Sequence, residues 1–237
     1  MNLKPYEIKE DFTVPIYMDT EFTSLSKDCH LLSIGLISED DDYFYAEITY
    51  SDQDNIEIND WIRDNVVKNF INTDIEDSEI KHDLDDGVTE GCRCNGTKEF
   101  VSFRLKNWLE SQYKKHGKKL QIYADCLAYD WALFVDLLAG NALNLPEYIY
   151  YIPYDLSSVL QTCGIDPDVT RELFVDNYKT GIYCENESAA VKVPIVLRFG
   201  VKKHNALWDA YICKYIFKIL NTIDKIYRKK NDTLGNI

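Results

Sequence analysis

The sequence predicts an α/β protein with a mixed central β-sheet, and the order of its apolar segments carries this prediction. Three strand-like segments rich in β-branched and aromatic residues come first, at 14–18, 31–38 and 43–50. The acidic run 39–42 suits a hairpin turn between the second and third segments, so we expect an antiparallel meander. Alternating helical and strand-like segments follow, and they would add parallel strands to the sheet and cover it with helices.

The later segments are placed by their apolar periodicity and by capping residues. Thr97 and Asn205 are good N-caps for the helices that follow them. We predict strands at 120–124 and 148–152, and helices at 60–70, 97–116, 129–139, 155–163, from near 169, and 206–228. The acid-rich residues 72–96, which end in glycines and cysteines, are expected to form an inserted loop, and 164–203 to be largely irregular. We expect a single domain over residues 1–237.

Composition favours a reducing compartment and no membrane. The 46% hydrophobic content of 237 residues suffices for a sizeable core without disulfides. The seven cysteines are an odd number, and Cys92 and Cys94 are too close together for a Cys-x-x-Cys motif. The first residues contain no apolar leader segment, and no run is long enough to span a bilayer. We therefore expect reduced thiols and a cytoplasmic location.

The net charge of −14 argues against tight, non-specific binding of long duplexes. Its distribution is uneven, because residues 201–237 carry +5 and the first 200 residues carry −19. Lys202 and Lys203 precede His204 directly, which would place positive charge beside a functional site. Four further lysines are either phosphate-facing or ordinary solvated surface: Lys114, Lys115, Lys118 and Lys119.

Acids at three separated places do not resemble ordinary surface charges. Asp19 and Glu21 end a strand-like run, and the two-residue period of a strand sends both carboxylates to one face. Asp130 and Asp209 each begin a helix and lie in register with its apolar stripe, so they point towards the core. Buried carboxylates are costly unless they are neutralised, and their convergence therefore suggests a shared cation.

The three motifs resemble those of the DEDDh 3′–5′ exonucleases, which share a ribonuclease-H-like fold. The resemblance rests on Asp-Thr-Glu-Phe at 19–22, Leu-Ala-Tyr-Asp-Trp at 127–131 and Lys-His-Asn-Ala-Leu-Trp-Asp-Ala at 203–210. It is greatest to a bacterial and phage branch of 3′–5′ exoribonucleases, and it spans most of the chain. Asp-x-Glu alone is a weak signal, whereas the triplet in this order is a strong one.

The resemblance implies a two-metal mechanism with two divalent cations, Mg²⁺ or Mn²⁺, about 3.5–4 Å apart. Carboxylate oxygens are the ligands that such hard cations prefer. Asp19 would bridge the ions, Glu21 and Asp209 would complete one coordination sphere, and Asp130 would act on the second. His204 would be the general base, because an unperturbed pKa of about 6.5 suits proton transfer near neutral pH.

Residues beside the motifs are candidate substrate contacts. Phe22 and Leu25 follow the acid pair and could stack on the terminal base. The Thr20 backbone and Lys203 are further candidates for contacts with the terminal nucleoside and with phosphate. Packing in the core is the alternative for Phe22 and Leu25, and it is the preferred interpretation for three aromatic residues beside the motif aspartates: Tyr129, Trp131 and Trp208.

One position departs from the family pattern. Many of these exonucleases carry an asparagine shortly before the middle aspartate, where this sequence has Asp125 and Cys126. Asp125 is either an acid behind the metal ligands or an ordinary strand-end or capping residue. Its role therefore stays open from the sequence.

The leading hypothesis is an exonuclease that acts on the 3′ ends of single-stranded RNA. The runner-up is a DNA exonuclease with the same residues. Two other classes are a non-catalytic nucleic-acid-binding module and an acidic interaction protein such as a nucleic-acid mimic. Asp130 and Asp209 each lie in the first turn of a helix, where the helix dipole favours an acid without any function. The occurrence of all three motifs in the right order argues against coincidence. Whether the protein forms a homodimer is left open by the sequence.

Overall fold

Seven strands and six α-helices are found in the computed structural model, which describes residues 12–85, 89–179 and 202–234. The strands are β1 Thr13–Phe22, β2 Leu31–Ser38, β3 Tyr43–Ile48, β4 Glu79–Asp85, β5 Thr89–Gly96, β6 Lys119–Ala124 and β7 Ile149–Asp155. The helices are α1 Asp60–Asn65, α2 Lys98–His116, α3 Ala128–Ala139, α4 Leu156–Thr162, α5 Arg171–Lys179 and α6 Ala206–Leu234. Short 3₁₀ turns lie at Asp52–Asp54, Val67–Asn69 and Ala142–Asn144.

All seven strands form one mixed sheet in the order β4-β5-β3-β2-β1-β6-β7. Strands β1, β2 and β3 are an antiparallel meander, and β6 and β7 add to it in parallel on the β1 side. The predicted α/β class is therefore confirmed. A meander continued by parallel strands, with helices against the sheet, is compatible with a ribonuclease-H-like fold.

Strand β1 separates two cores, because its side chains alternate between the faces of the sheet. Ile16 and Met18 belong to a core that includes residues of α2 and α3. Tyr17 belongs to the opposite core, with residues of α4, α5 and α6. Asp19 and Glu21 follow Tyr17 at steps of two, so they face the side that α6 covers.

Residues 72–96 correct the sequence prediction. They contain β4 and β5, which pair as antiparallel strands and extend the sheet beyond β3, so the expectation of an inserted loop there was wrong. The side chain of Arg93, only 2% exposed, donates to Asp83 at 2.8 Å and to Asp74 at 2.9 Å. A buried arginine in a strand that also holds two glycines and an asparagine gives no local strand signal.

Most other predicted elements are present, with shifted ends. The N-caps are confirmed, because the Thr97 hydroxyl accepts from the Phe100 N–H and the Asn205 side chain accepts from the Leu207 N–H. The helix expected over 60–70 is interrupted after Asn65 and continues as a 3₁₀ turn. The part of the irregular segment over 180–201 lies outside the described residues. None of the helices in the described ranges has the length and apolar character to cross a membrane.

Candidate active site

Acidic side chains from three elements line a single cleft of about 460 Å³. Asp19 and Glu21 come from β1, Asp130 from α3, and Asp209 from α6. The remaining predicted site residues also line this cleft: Thr20, Phe22, Leu25, Lys203 and His204. The structure thus brings together all nine residues that the sequence singled out.

Strand direction explains why the acids meet. Strands β1 and β6 run parallel, so their carboxyl ends lie at the same edge of the sheet. Asp19 and Glu21 stand at that end of β1, and α3 begins a few residues after β6. Asp130 lies in the first turn of α3, where the positive end of the helix dipole also favours a carboxylate.

Asp209 lies at the cleft because α6 contacts the sheet closely. Gly35 on β2 lies opposite Asp19 on β1. A Cβ atom at Gly35 would lie 2.4 Å from the carbonyl carbon and oxygen of Ala206, so only glycine permits this approach. The first turn of α6 therefore rests directly on β2, and Asp209 reaches the cleft beside the β1 acids.

Asp130 is fixed by Thr20. Its Oδ1 accepts from the Thr20 backbone N–H at 2.9 Å and from the Thr20 hydroxyl at 2.6 Å. Both residues are buried, so these bonds hold the carboxylate in one orientation. The predicted contact of Thr20 with substrate stays a prediction, and the hydrogen bonds give Thr20 a role in positioning Asp130.

Three of the candidate residues are close enough to share one ion. Glu21, His204 and Asp209 each offer a ligand atom, and these atoms lie within 4.8 Å of one another. The His204 backbone N–H also donates to Oδ2 of Asp209 at 2.8 Å. The two carboxylates offer the oxygen ligands that Mg²⁺ and Mn²⁺ prefer, so these residues fit the metal that the motifs imply.

Burial and mutual repulsion make the acid cluster hard to ionise without a cation. Burial, and then the charges of neighbouring acids, raise the pKa of Asp19 well above its usual range and that of Glu21 to about 8. Burial is also the main cause that raises the pKa of Asp130 and of Asp209 to about 7. A bound divalent cation would neutralise these carboxylates, which is a second reason why the site fits a metal.

His204 is poised in its neutral form. Burial, and then the positive charge of Lys203, lower the pKa of His204 below its ordinary value. The Trp61 indole meets the His204 ring edge-on, with ring centroids 5.2 Å apart. A neutral imidazole is what a general base requires at neutral pH.

The side of the cleft beyond Glu21 is largely aromatic and apolar. Phe22 stacks on Tyr129 with ring centroids 5.5 Å apart, and the Tyr129 hydroxyl donates to the Leu25 carbonyl at 2.8 Å. The Leu25 side chain is 76% exposed and is free to contact a ligand. Tyr129 was expected only in the core, and it instead supports the segment that carries Leu25.

The lysines near the start of β6 do not lie at the cleft. Lys114 pairs with Glu110, and Lys115 pairs with Asp40 and Asp42. They precede β6, whereas the cleft lies at its other end, about 20 Å away for a six-residue strand. The solvated-surface alternative is therefore the better description of Lys114 and Lys115.

Ten further described residues line the cleft, which the sequence did not identify as part of the site or whose role it left open, and four of them have a charged or indole side chain. These four are Trp61, Asp125, Arg171 and Glu172. Trp61 lies on a short helix far from any motif, and Arg171 and Glu172 open a helix without a distinctive pattern. Of these four, only Asp125 was noted in the sequence, because it lies where many of the related exonucleases have an asparagine.

No protein-family model matches the chain, and no curated protein matches it. The cleft itself, with acids from three elements and a histidine, is therefore the basis for a functional proposal.

Proposed function

We propose that the protein is a metal-dependent 3′–5′ exonuclease that hydrolyses single-stranded nucleic acid from its 3′ end, with RNA as the preferred substrate. One observation carries the proposal: Asp19, Glu21, Asp130 and Asp209 converge on one cleft next to His204. The raised pKa values of these four carboxyl groups support the proposal, because perturbed carboxyl groups cluster at functional sites.

The four acids would hold two divalent cations, Mg²⁺ or Mn²⁺. When bound, these cations would stabilise charge on the scissile phosphate and lower the pKa of a water molecule. Thr20 keeps Asp130 in place through its two hydrogen bonds, and the His204 backbone keeps Asp209 in place. Asp130 and Asp209 are thus held before metal arrives, as a preorganised site requires.

His204 would take the proton from the attacking water. Its lowered pKa leaves the imidazole unprotonated at neutral pH, and its ring lies at the cleft beside Glu21 and Asp209. Phosphate would meet Lys203, whose ammonium group also reaches Glu172 at 3.8 Å. The terminal base would contact the exposed Leu25 and the Trp61 indole, which is 55% exposed.

The preference for RNA rests on the resemblance to the exoribonuclease branch. It requires a group that reads the 2′-hydroxyl, and we assign this contact to Glu21 and the backbone after it. A cytoplasmic location is proposed as well, and it is supported by the six described cysteines, all of which are free thiols.

The proposal is tested with 3′- and 5′-labelled single strands of RNA and DNA, with and without Mn²⁺. Stepwise shortening from the 3′ end, fastest on RNA, is expected. A 3′-phosphate should block the reaction because it adds charge and bulk at the terminal hydroxyl, whereas a 5′ block should have no effect. A DNA strand that ends in one ribonucleotide should lose that nucleotide at the RNA rate.

Other outcomes would separate the alternatives. Equal rates on RNA and DNA would overturn the RNA preference and leave the mechanism in place. Binding of the strands without hydrolysis would favour a non-catalytic nucleic-acid module, and the absence of both would favour an acidic interaction protein. Internal cuts would contradict exonuclease action itself.

A further inference from the structure

Asp125, the acid whose role the sequence leaves open, is bound by an arginine at the cleft. The Arg171 Nε donates to Oδ2 of Asp125 at 2.6 Å, and Nη2 donates to Oδ1 at 2.9 Å. The Ser157 hydroxyl donates to the same Oδ1 at 2.8 Å. Two parallel bonds from a planar guanidinium fix both the position and the plane of the carboxylate.

The remaining donors of Arg171 are engaged as well. Its Nη1 donates to the carbonyl oxygens of Pro167 at 2.8 Å and Val169 at 2.7 Å, and Nη2 donates to the Ser157 hydroxyl at 3.0 Å. A guanidinium has five N–H donors, and all five are used here. Arg171 cannot bind a substrate phosphate without breaking this network, so its role is to hold other groups.

The pair lines the same cleft as the acid cluster. Asp125 follows β6, Arg171 is the first residue of α5, and both line the cleft. The side chains are 25% and 18% exposed, so solvent screens their charges only in part. The negative charge of Asp125 acts on three of the proposed ligands: Asp19, Asp130 and Asp209.

Arg171 also fixes the start of the helix that forms one wall of the cleft. Glu172 comes next on α5, lines the cleft and lies 3.8 Å from the Lys203 ammonium group. Lys203 immediately precedes His204. A shift of the α5 start would therefore disturb the wall that faces the histidine segment.

We propose that Arg171 is a positioning residue that keeps Asp125 out of the metal ligand set and balances its charge, while it anchors α5 at the cleft wall. The inference rests on the proposed function, because the ligand set in question is that of the proposed metal site. It also accounts for Asp125, which lies near a position where the related motifs have a neutral asparagine. The negative charge of Asp125 is balanced by the guanidinium of Arg171.

The test is a double-mutant cycle on Mn²⁺ affinity, measured by isothermal titration. Arg171→Met removes a positive charge and leaves the charge of Asp125 uncompensated, so Coulomb attraction to the cation should tighten Mn²⁺ binding about tenfold. Asp125→Asn leaves Arg171 unpaired and should weaken binding by a similar factor, about tenfold. The double variant should return to within about threefold of the wild type. A general loss of structure cannot produce shifts of opposite sign that cancel.

Two further variants separate charge from geometry. Arg171→Lys retains the charge but loses the planar fork, so it should keep the wild-type Mn²⁺ affinity while turnover falls about tenfold. Arg93→Met is the matched control, because it breaks an equally engaged set of arginine–aspartate ion pairs, and Arg93 lies on β5, which β3 and β2 separate from β1. It should lower the melting temperature and leave Mn²⁺ affinity unchanged.

The outcomes distinguish this inference from the proposed function. A wild-type protein that binds Mn²⁺ but degrades no strand would overturn the exonuclease, and opposite shifts in the cycle would still support the role of the pair. An active wild type with unchanged Mn²⁺ affinity in both single variants would overturn the role of the pair alone. No Mn²⁺ binding by the wild type would overturn both.

Discussion

The backbone N–H of His204 donates a 2.8 Å hydrogen bond to Oδ2 of Asp209, five residues further along the chain. His204 has a φ of 63°, a conformation that residues other than glycine adopt rarely. Asp209 is in turn tied back, because its N–H donates to the Asn205 carbonyl at 3.0 Å. The proposed base and one proposed ligand thus form a single unit, and backbone strain of this kind is often found at functional sites.

Substitution of any of the four acids should nearly abolish turnover. Asp19→Asn, Glu21→Gln, Asp130→Asn and Asp209→Asn each remove one charged ligand, which costs several kcal/mol in the transition state, or about a thousandfold in rate. Glu110→Gln, an exposed acid on α2, is the control and should be neutral. Full activity in one of the four variants, measured on labelled RNA, would remove that residue from the site.

The metal-free protein should lose stability as pH rises. The acids have folded-state pKa values above their unfolded values, about 7 for Asp130 and Asp209 and about 8 for Glu21. The protonated forms therefore favour folding, and this stability is fully present below the ordinary carboxyl pKa of about 4 and is lost up to about pH 8.

The measurement is a series of melting temperatures in EDTA across that range. A decrease of several degrees is expected with rising pH, and Mn²⁺ at the alkaline end should restore stability. Asp19→Asn should flatten the profile, because it relieves repulsion within the cluster. A melting temperature that rises over the same range would contradict the raised pKa values.

His204→Ala should lower turnover by at least about a hundredfold, the typical contribution of a general base. Mn²⁺ affinity should change far less, because the proposed role of His204 is proton transfer. At saturating Mn²⁺, which keeps the carboxylates ionised, wild-type activity should fall at pH values below the ordinary histidine range, since burial and Lys203 lower the pKa of His204. His82→Ala, an exposed histidine on β4, is the control. A large loss of Mn²⁺ affinity in His204→Ala would instead identify it as a ligand, which its distance from Glu21 and Asp209 permits.

Gly35→Ala should impair both the fold and the site. The added methyl would lie 2.4 Å from the Ala206 backbone, so the first turn of α6 must move and take Asp209 with it. Gly140→Ala is the matched control, because its Cβ would meet nothing within 4 Å and only the positive φ of 66° is strained, at a cost of about 1–2 kcal/mol. Turnover should fall in Gly35→Ala alone, and equal turnover in the two variants would contradict the role of this contact.

Trp61→Ala should raise KM for oligonucleotides and change kcat little. The exposed indole lies at the cleft, and stacking on one base contributes about 1–3 kcal/mol, so KM should rise about 5-fold to 150-fold. Phe103→Ala removes an aromatic ring that is 57% exposed on α2, against 55% for Trp61, and should leave KM unchanged. Trp61→Phe should retain much of the affinity. A fall in kcat at constant KM would rule out a role in substrate binding.

The sequence by itself determined the features that depend on local patterns. The period of two in β1 placed Asp19 and Glu21 on one face, and the helical period placed Asp130 and Asp209 in line with the apolar stripes of α3 and α6. The meander and the two confirmed N-caps follow from the same short-range rules. These interactions join residues that are close along the chain, and residue type therefore predicts them directly.

Only the tertiary structure decided which distant residues meet. No local pattern indicates that Arg93 is buried, yet it pairs with Asp74 and Asp83, in a region where a loop was expected and where β4 and β5 pair as strands. Arg171 and Asp125 are 46 positions apart, and no periodic pattern in the sequence predicts that they pair. Charged side chains satisfy one another through space, at distances fixed by packing, so a chain position alone does not indicate whether a charge meets water, a partner or a metal.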